Sequence, residues 1–214
     1  VALEELKSAD GDAFRQLFAI YATSINPAEQ KPEAWLRAMV AASQYRVWIT
    51  QDAGRVRAFS ILFVPPDQGF ALLEYMAVAP EERGRGFGGK LFQKTVAQAL
   101  TQGGDRLPVL LEVDSDREAS DDRALRTRRL RFYRRLGCVT VAGLRYLMPL
   151  RGPGPAPEMV LMLHEPATRR STAVPRPALQ RWLRSIYRDV YSESPDDPRI
   201  AQMLATLSDP VPLE

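Results

Sequence analysis

Residues Glu74–Gln93 read EYMAVAPEERGRGFGGKLFQ. An apolar run stops at Pro80, a charged segment follows, and Gly84, Gly86, Gly88 and Gly89 lead into a helical pattern. Glycine accepts backbone angles that other residues resist and lets N–H groups approach a ligand closely. In the first turn of a helix those N–H groups lack intrahelical partners, and the helix dipole adds to their pull on an anion. Three glycines in five residues, with Arg83 and Arg85 beside them, exceed what a plain turn requires. The stretch reads as a phosphate-binding turn between a strand and a helix.

Three ligand readings compete. Gly84-x-Gly86-x-x-Gly89 formally matches the dinucleotide fingerprint, and Glu112 stands near the place of its ribose-binding acid. That motif opens directly on a buried parallel strand, whereas here APEER intervenes. Gly84 to Lys90 also matches the start of a P-loop, but Leu91 stands where a Ser or Thr would hold magnesium. Nucleotide hydrolysis is therefore not expected. The third reading rests on the flanking segments.

Upstream, YRVWIT (Tyr45–Thr50), VRAFSILFV (Val56–Val64) and FALLEYMAV (Phe70–Val78) are separated by a turn at Asp52–Gly54 and by Pro65-Pro66. They predict an antiparallel meander. Before them, Leu3–Lys7 predicts a short strand. A helix capped by Asp10 carries Phe14, Leu17, Phe18 and Tyr21 and is broken by Asn26-Pro27. A second helix spans Pro32 to Ala42, with Trp35, Met39 and Val40 on one side. Downstream come a helix from Gly88 to about Gln102, striped by Phe92, Val96, Ala99 and Leu100, and the buried strand VLLEV (Val109–Val113). A helix from about Asp121 to Leu136 then stops at Gly137. Short strands near Thr140–Tyr146 and Met159–His164 flank a Pro/Gly loop, RGPGPAPE.

The Gly-rich turn resembles motif A of the GNAT acetyltransferases, Arg/Gln-x-x-Gly-x-Gly/Ala after a strand, with Arg83, Gly86 and Gly88 in those places. Phe132-Tyr133-x-x-Leu-Gly137-Cys138 resembles the family's Tyr-bearing helix end, and VLLEV lies between the two motifs in the family's order. The resemblance spans roughly residues 3–164. It implies an α+β fold: a central mixed, mostly antiparallel sheet flanked by helices. It implies acetyl-CoA as cosubstrate and no metal. The pyrophosphate would lie on N–H groups from Gly84 through Arg85, Gly86, Phe87 and Gly88 to Gly89, with charge from Arg83 and Arg85. Backbone groups of Met76, Ala77 and Val78 would pair with the pantetheine arm. Tyr133 would return a proton to the leaving thiolate. Arg126 and Arg129 stand where many relatives have Asn and Ala; they would either crowd the pantetheine arm or reach cofactor phosphates.

An amine acceptor must lose a proton. Glu74 is the candidate base, on one strand face with Leu72, Met76 and Val78 by period-two alternation. Glu112 on the next strand is a second acid for the acceptor side, and two buried acids would raise one another's pKa. In the family the loop Ser24–Lys31 often meets the acceptor, which makes Tyr21, Glu29 and Gln30 acceptor candidates. The acceptor, a small-molecule or protein amine, is left open. So is a chain that binds CoA as a regulatory module without chemistry.

In bulk, the chain has 214 residues, 45% hydrophobic and 26% charged, and a net charge of +3. No run approaches the ~18 consecutive apolar residues of a membrane span, and no signal peptide is visible. Cys138 is the single cysteine, which fits the reducing cytoplasm and reads as a core residue. His164, the single histidine, has no visible catalytic or metal partners and reads as structural. Arginines crowd 123–135, but without a recognition motif or interleaved aromatics they do not predict nucleic-acid binding. The expected division is an acetyltransferase domain at 1–166 and a helical extension at 167–214. In that extension Leu179, Trp182, Leu183, Ile186, Tyr187 and Val190, then Ile200, Met203, Leu204 and Leu207, recur at helical spacing. Such stripes need a covering surface, from the same subunit or from a homodimer partner.

Overall fold

A computed structural model describes residues 2–99, 104–150, 157–166 and 170–214. The predicted helix end at Leu100–Gln102, the loop from Arg151 to Ala156 and residues 167–169 of the extension lie outside the described residues.

The predicted meander is present. Strands β2 (Tyr45–Asp52), β3 (Arg55–Phe63) and β4 (Ala71–Val78) pair antiparallel in sequence order, and β1 (Leu3–Glu5) adds antiparallel to β2. Alternation along β3 decides which helix lies on which face. Phe59 packs toward Tyr21 of α1 (Asp12–Ser24). Its neighbour Ser60 points the other way and bonds Thr95 of α3 (Phe87–Ala97) at 2.8 Å. The second helix, α2 (Glu33–Ala41), lies against β2. These elements belong to one compact unit, Val1–Pro66 with Ala71–Leu107.

Two local readings need correction in this unit. Asp10 does not cap α1: its side chain is fully exposed, and the cap position is Gly11 at φ 130°. The acid of the first turn is Asp12, where it complements the helix dipole. Trp35 is not on the buried side of α2; Leu36 and Met39 are, and Trp35 stays 47% exposed.

The second unit comprises Asp67–Phe70 with Pro108–Glu214. Here β5 (Val109–Asp114) pairs antiparallel with β8 (Glu158–His164), and β8 also pairs with β6 (Val139–Thr140) and β7 (Tyr146–Leu147). Helix α4 (Arg123–Arg135) packs on β5. The extension is integral to this unit. It forms β9 (Ala173–Val174), α5 (Arg176–Ser185), a π-turn over Ile186–Val190, α6 (Pro198–Leu204) and β10 (Val211–Pro212), which pairs with β9. Both predicted apolar stripes are buried inside it. Trp182 donates its indole N–H to Gln68 O at 3.1 Å and packs on Phe70. The covering surface is thus supplied by the same chain, and the stripes do not call for a second copy.

Candidate active site

The Gly-rich turn begins where β4 ends. A single 3-10 turn, Pro80–Glu82, carries the chain to Gly84 and Gly86, both at φ 79° in the left-handed region. A Cβ at either position would meet nothing within 4 Å, so φ, not crowding, demands glycine. Gly86 is the cap residue of α3, no side chain caps that helix end, and its first turn holds no acid. The first-turn N–H groups of Phe87, Gly88 and Gly89 therefore keep the anion-attracting character of a helix start. Arg83 ties the turn to the end of α1, reaching Ser24 Oγ at 2.8 Å and Val78 O at 3.3 Å. Arg85 is the freer charge: its side chain is 68% exposed and its contact with Glu82 is 3.4 Å. Glu82 itself is buried and receives Arg57 at 2.8 Å.

Glu74 sits at a break in the β3–β4 register. Tyr75 stands opposite Ile61 and Leu73 opposite Leu62, which leaves Glu74 as the extra residue of a β-bulge. In an unbroken strand Glu74 and Tyr75 would face opposite ways. Here both reach the connection between α1 and α2. Tyr75 donates its hydroxyl to Glu29 O at 2.9 Å, and Lys31 Nζ donates to Glu74 Oε1 at 2.5 Å. This corrects the expectation of one face shared with Leu72, Met76 and Val78: the bulge re-aims the carboxylate. The Glu74 side chain is 3% exposed and that of Lys31 12%. Burial raises the Glu74 pKa above its ordinary value, against the opposing pull of Lys31 and Tyr45.

The acceptor candidates build this same connection. Tyr21 is wholly buried, stacks edge-on against Tyr75 at 5.1 Å and accepts the Lys31 backbone N–H at 2.6 Å. It has no exposed surface for an acceptor, which corrects that expectation. Gln30 folds back to donate to Ala22 O at 3.1 Å and Ile25 O at 2.8 Å, and Glu29 offers its carbonyl to Tyr75. Sequence reasoning missed Lys31 and Tyr75. The available signal was a lone lysine next to a proline in a loop otherwise read for its acid and amides.

In the second unit, α4 ends in a Schellman motif. Gly137 takes φ 89°, its N–H bonds Arg134 O, and the Cys138 N–H bonds Tyr133 O. This fixes Tyr133 in the last turn, edge-on to Phe132 at 5.1 Å, and desolvation raises its hydroxyl to about 12. Cys138 is buried and its thiol is likewise pushed up to about 12, as suits a core residue. Arg126 pairs with Asp122 at 2.9 Å, and Arg129 pairs with Asp114. Their charge is thus already matched within the unit. Glu112 accepts hydrogen bonds from the hydroxyls of Tyr146 and of Tyr191, the latter at 2.6 Å. It is drawn into the C-terminal extension, where sequence reasoning had placed it on the acceptor side.

Among the described residues, no group of His, Cys, Asp and Glu is arranged to hold a metal ion, and no helix is long and apolar enough to cross a membrane.

The model of the acetyltransferase (GNAT) family matches residues 12–138. No curated protein matches the sequence. Solved structures share the fold at low identity. One is an acetyltransferase assigned to the GNAT family from Bacteroides thetaiotaomicron, at 20% identity and TM-score 0.70, covering 89% of this chain and 98% of that one. A second is an aminoglycoside 6'-N-acetyltransferase complexed with coenzyme A, at 16% identity and TM-score 0.60, covering 80% and 100%. A third is the ribosomal-protein-S18-alanine N-acetyltransferase of Escherichia coli, at 18% identity and TM-score 0.52, covering 79% and 99%.

Proposed function

The chain belongs to the GNAT acetyltransferase family, and from that premise we propose that it moves an acetyl group from acetyl-CoA to an amine by direct attack. One observation carries the reading: two left-handed glycines, reached from β4 through a single 3-10 turn, open onto an uncapped helix start. The cosubstrate supplies the acetyl group as a thioester. Its phosphates suit the N–H groups from Gly84 to Gly89, with Arg85 adding charge from solvent and Arg83 holding the turn in shape. Backbone groups of Met76, Ala77 and Val78 are the place for the pantetheine arm.

Glu74 takes the proton that the acceptor amine must lose. Burial suits it to the task, because a carboxylate with a raised pKa is a stronger base than an exposed one. Tyr133 returns a proton to the thiolate; its hydroxyl stays protonated at neutral pH, and its backbone is fixed in the last turn of α4 by the Schellman motif. Much of the rate comes from holding amine and thioester together. Arg126 and Arg129 are paired with acids and act on the cosubstrate only through the field they leave. The fold relatives named above acetylate an aminoglycoside in one case and a ribosomal-protein alanine in another. A small-molecule or a protein amine is accordingly the acceptor class.

The test is thiol release from acetyl-CoA against a panel of amines, with CoA binding followed by calorimetry. CoA is expected to bind with micromolar-scale affinity. Gly86→Val is expected to abolish binding, because valine resists φ 79° and the turn that presents the N–H groups would have to rearrange. Unchanged binding by a folded Gly86→Val chain would remove the turn from the site. CoA binding without thiol release on any amine would leave a binding module.

A further inference from the structure

The acid proposed as base already faces an amine. Lys31 Nζ lies 2.5 Å from Glu74 Oε1, in the connection between α1 and α2. We propose that Lys31 is itself an acetyl acceptor, modified by its own chain from acetyl-CoA. The inference rests on the acetyltransferase reading above.

Three features single out this lysine. The sequence holds four, Lys7, Lys31, Lys90 and Lys94. Lys7, Lys90 and Lys94 are exposed; the Lys31 side chain is 12% exposed and sits against a carboxylate that is 3% exposed. Next, Lys31 is held rather than floating. Its backbone N–H is fixed by the Tyr21 hydroxyl at 2.6 Å, and its ammonium lies 5.5 Å from the centre of the Trp35 ring. An amine held within reach of its thioester reacts far faster than a free one. Finally, the β-bulge aims Glu74 at this group, so the base and its proton are already in contact.

The step balances without another reactant. The Lys31 ammonium gives one proton to the Glu74 carboxylate. The neutral amine attacks the thioester carbonyl, a C–N bond forms and the C–S bond breaks. The nitrogen gives up a second proton as it becomes an amide, the thiolate gains it and leaves as CoA thiol, and Glu74 later loses its own proton to water. The product, acetyl-lysine, carries no charge and no longer pairs with Glu74.

Chemical acetylation runs the other way. It favours exposed amines, so acetyl-CoA reacting without the protein's help would mark Lys7, Lys90 and Lys94 ahead of Lys31. The experiment incubates the full chain with acetyl-CoA and follows each lysine by peptide mass spectrometry. Expected is acetyl on Lys31 first, at a rate per chain that does not change on tenfold dilution. Lys31→Arg keeps the ion pair and should lose this mark alone. Gly86→Val should slow the mark at least tenfold while leaving slow marking of the exposed lysines unchanged. Acetylation of Lys7, Lys90 or Lys94 at or above the rate of Lys31 overturns the inference, as does an unmarked Lys31. Calorimetry and thiol release on external amines separate the two readings. A chain that binds CoA and acetylates an added amine but spares Lys31 overturns this inference alone. A chain that neither binds CoA nor releases thiol overturns both.

Discussion

Two strands, one in each unit, carry a glutamate in an apolar run: Glu74 in ALLEYMAV of β4 and Glu112 in VLLEVD of β5. In sequence they look alike. Their surroundings differ in kind. Glu74 stands at a bulge, meets a cation on a surface connection and has a raised pKa. Glu112 stands in unbroken register opposite Leu161 and accepts hydrogen bonds from two tyrosines, one of them supplied by the extension. A cation at a buried carboxylate can be exchanged for another cation or give up its proton. Two neutral hydroxyls donated from separate elements make a structural tie. The lesson is that an acid on a buried strand is assigned by what faces it and by the register beneath it, not by its strand's composition.

The largest expected effect breaks or confirms this contrast directly. Glu74→Gln should lower turnover on the order of 1,000-fold, within the usual span for a general base. Glu112→Gln should leave turnover within about threefold and lower thermal stability instead. Wild-type turnover should rise with pH as Glu74 loses its proton. Because burial raises its pKa, that limb should lie above the value of about 4.3 of an exposed glutamate. Glu74→Gln should flatten it. Equal loss of turnover in both variants would end the distinction.

The next effect tests whether the extension around Glu112 is structure. Trp182→Ala removes a ring that is 7% exposed, together with its bond to Gln68 and its contact with Phe70. The expected cost is about 3–4 kcal/mol, in line with aromatic-to-alanine changes in cores. Thermal unfolding reads it. A loss below about 1 kcal/mol would show that the extension adds little to the second unit.

What could be read in advance follows the same contrast. The strand meander, the Gly-rich turn and the stop at Gly137 were legible because each rests on short-range rules: alternation, φ above zero, and an uncapped helix end. The stripe Leu179–Val190 was legible as needing cover, though not as to which chain would cover it. The bulge at Glu74 was not legible. It arises where the β3–β4 register shifts between Ile61 and Leu62, and nothing in ALLEYMAV marks it. Nor was the pairing of Arg129 with Asp114 or of Glu112 with Tyr191, since such pairs form only when separate elements pack. Arg126 with Asp122 was readable as an i,i+4 pair on one helix, in keeping with a solvated helix face that carries salt bridges.

A smaller effect sharpens the role of the acid partner. Tyr133→Phe should keep CoA affinity and lower turnover on the order of 100-fold, because the ring still packs on Phe132 while the donor is gone. The rising pH limb should persist, since it belongs to Glu74. Turnover equal to wild type across the pH range would make Tyr133 a packing residue.

The smallest effect is the most pointed for Glu112. Tyr191→Phe removes one of its two tyrosine donors and leaves the ring in place, so it separates the hydrogen bond from the packing. A hydrogen bond to a charged group contributes about 1.5–3 kcal/mol, and the remaining bond from Tyr146 keeps the carboxylate from being stranded. The loss should therefore sit at the low end, about 1.5 kcal/mol, or roughly 3–6 °C in Tm for a chain of this size. Acceptor KM and turnover should not move, because a tie within the second unit has no part in binding the amine. If Glu112 instead helps to hold the acceptor, freeing it from Tyr191 changes the acceptor KM while the CoA KM stays constant. That split, measured at saturating CoA across the amine panel, would return Glu112 to the acceptor side and leave Glu74 as one of two working acids.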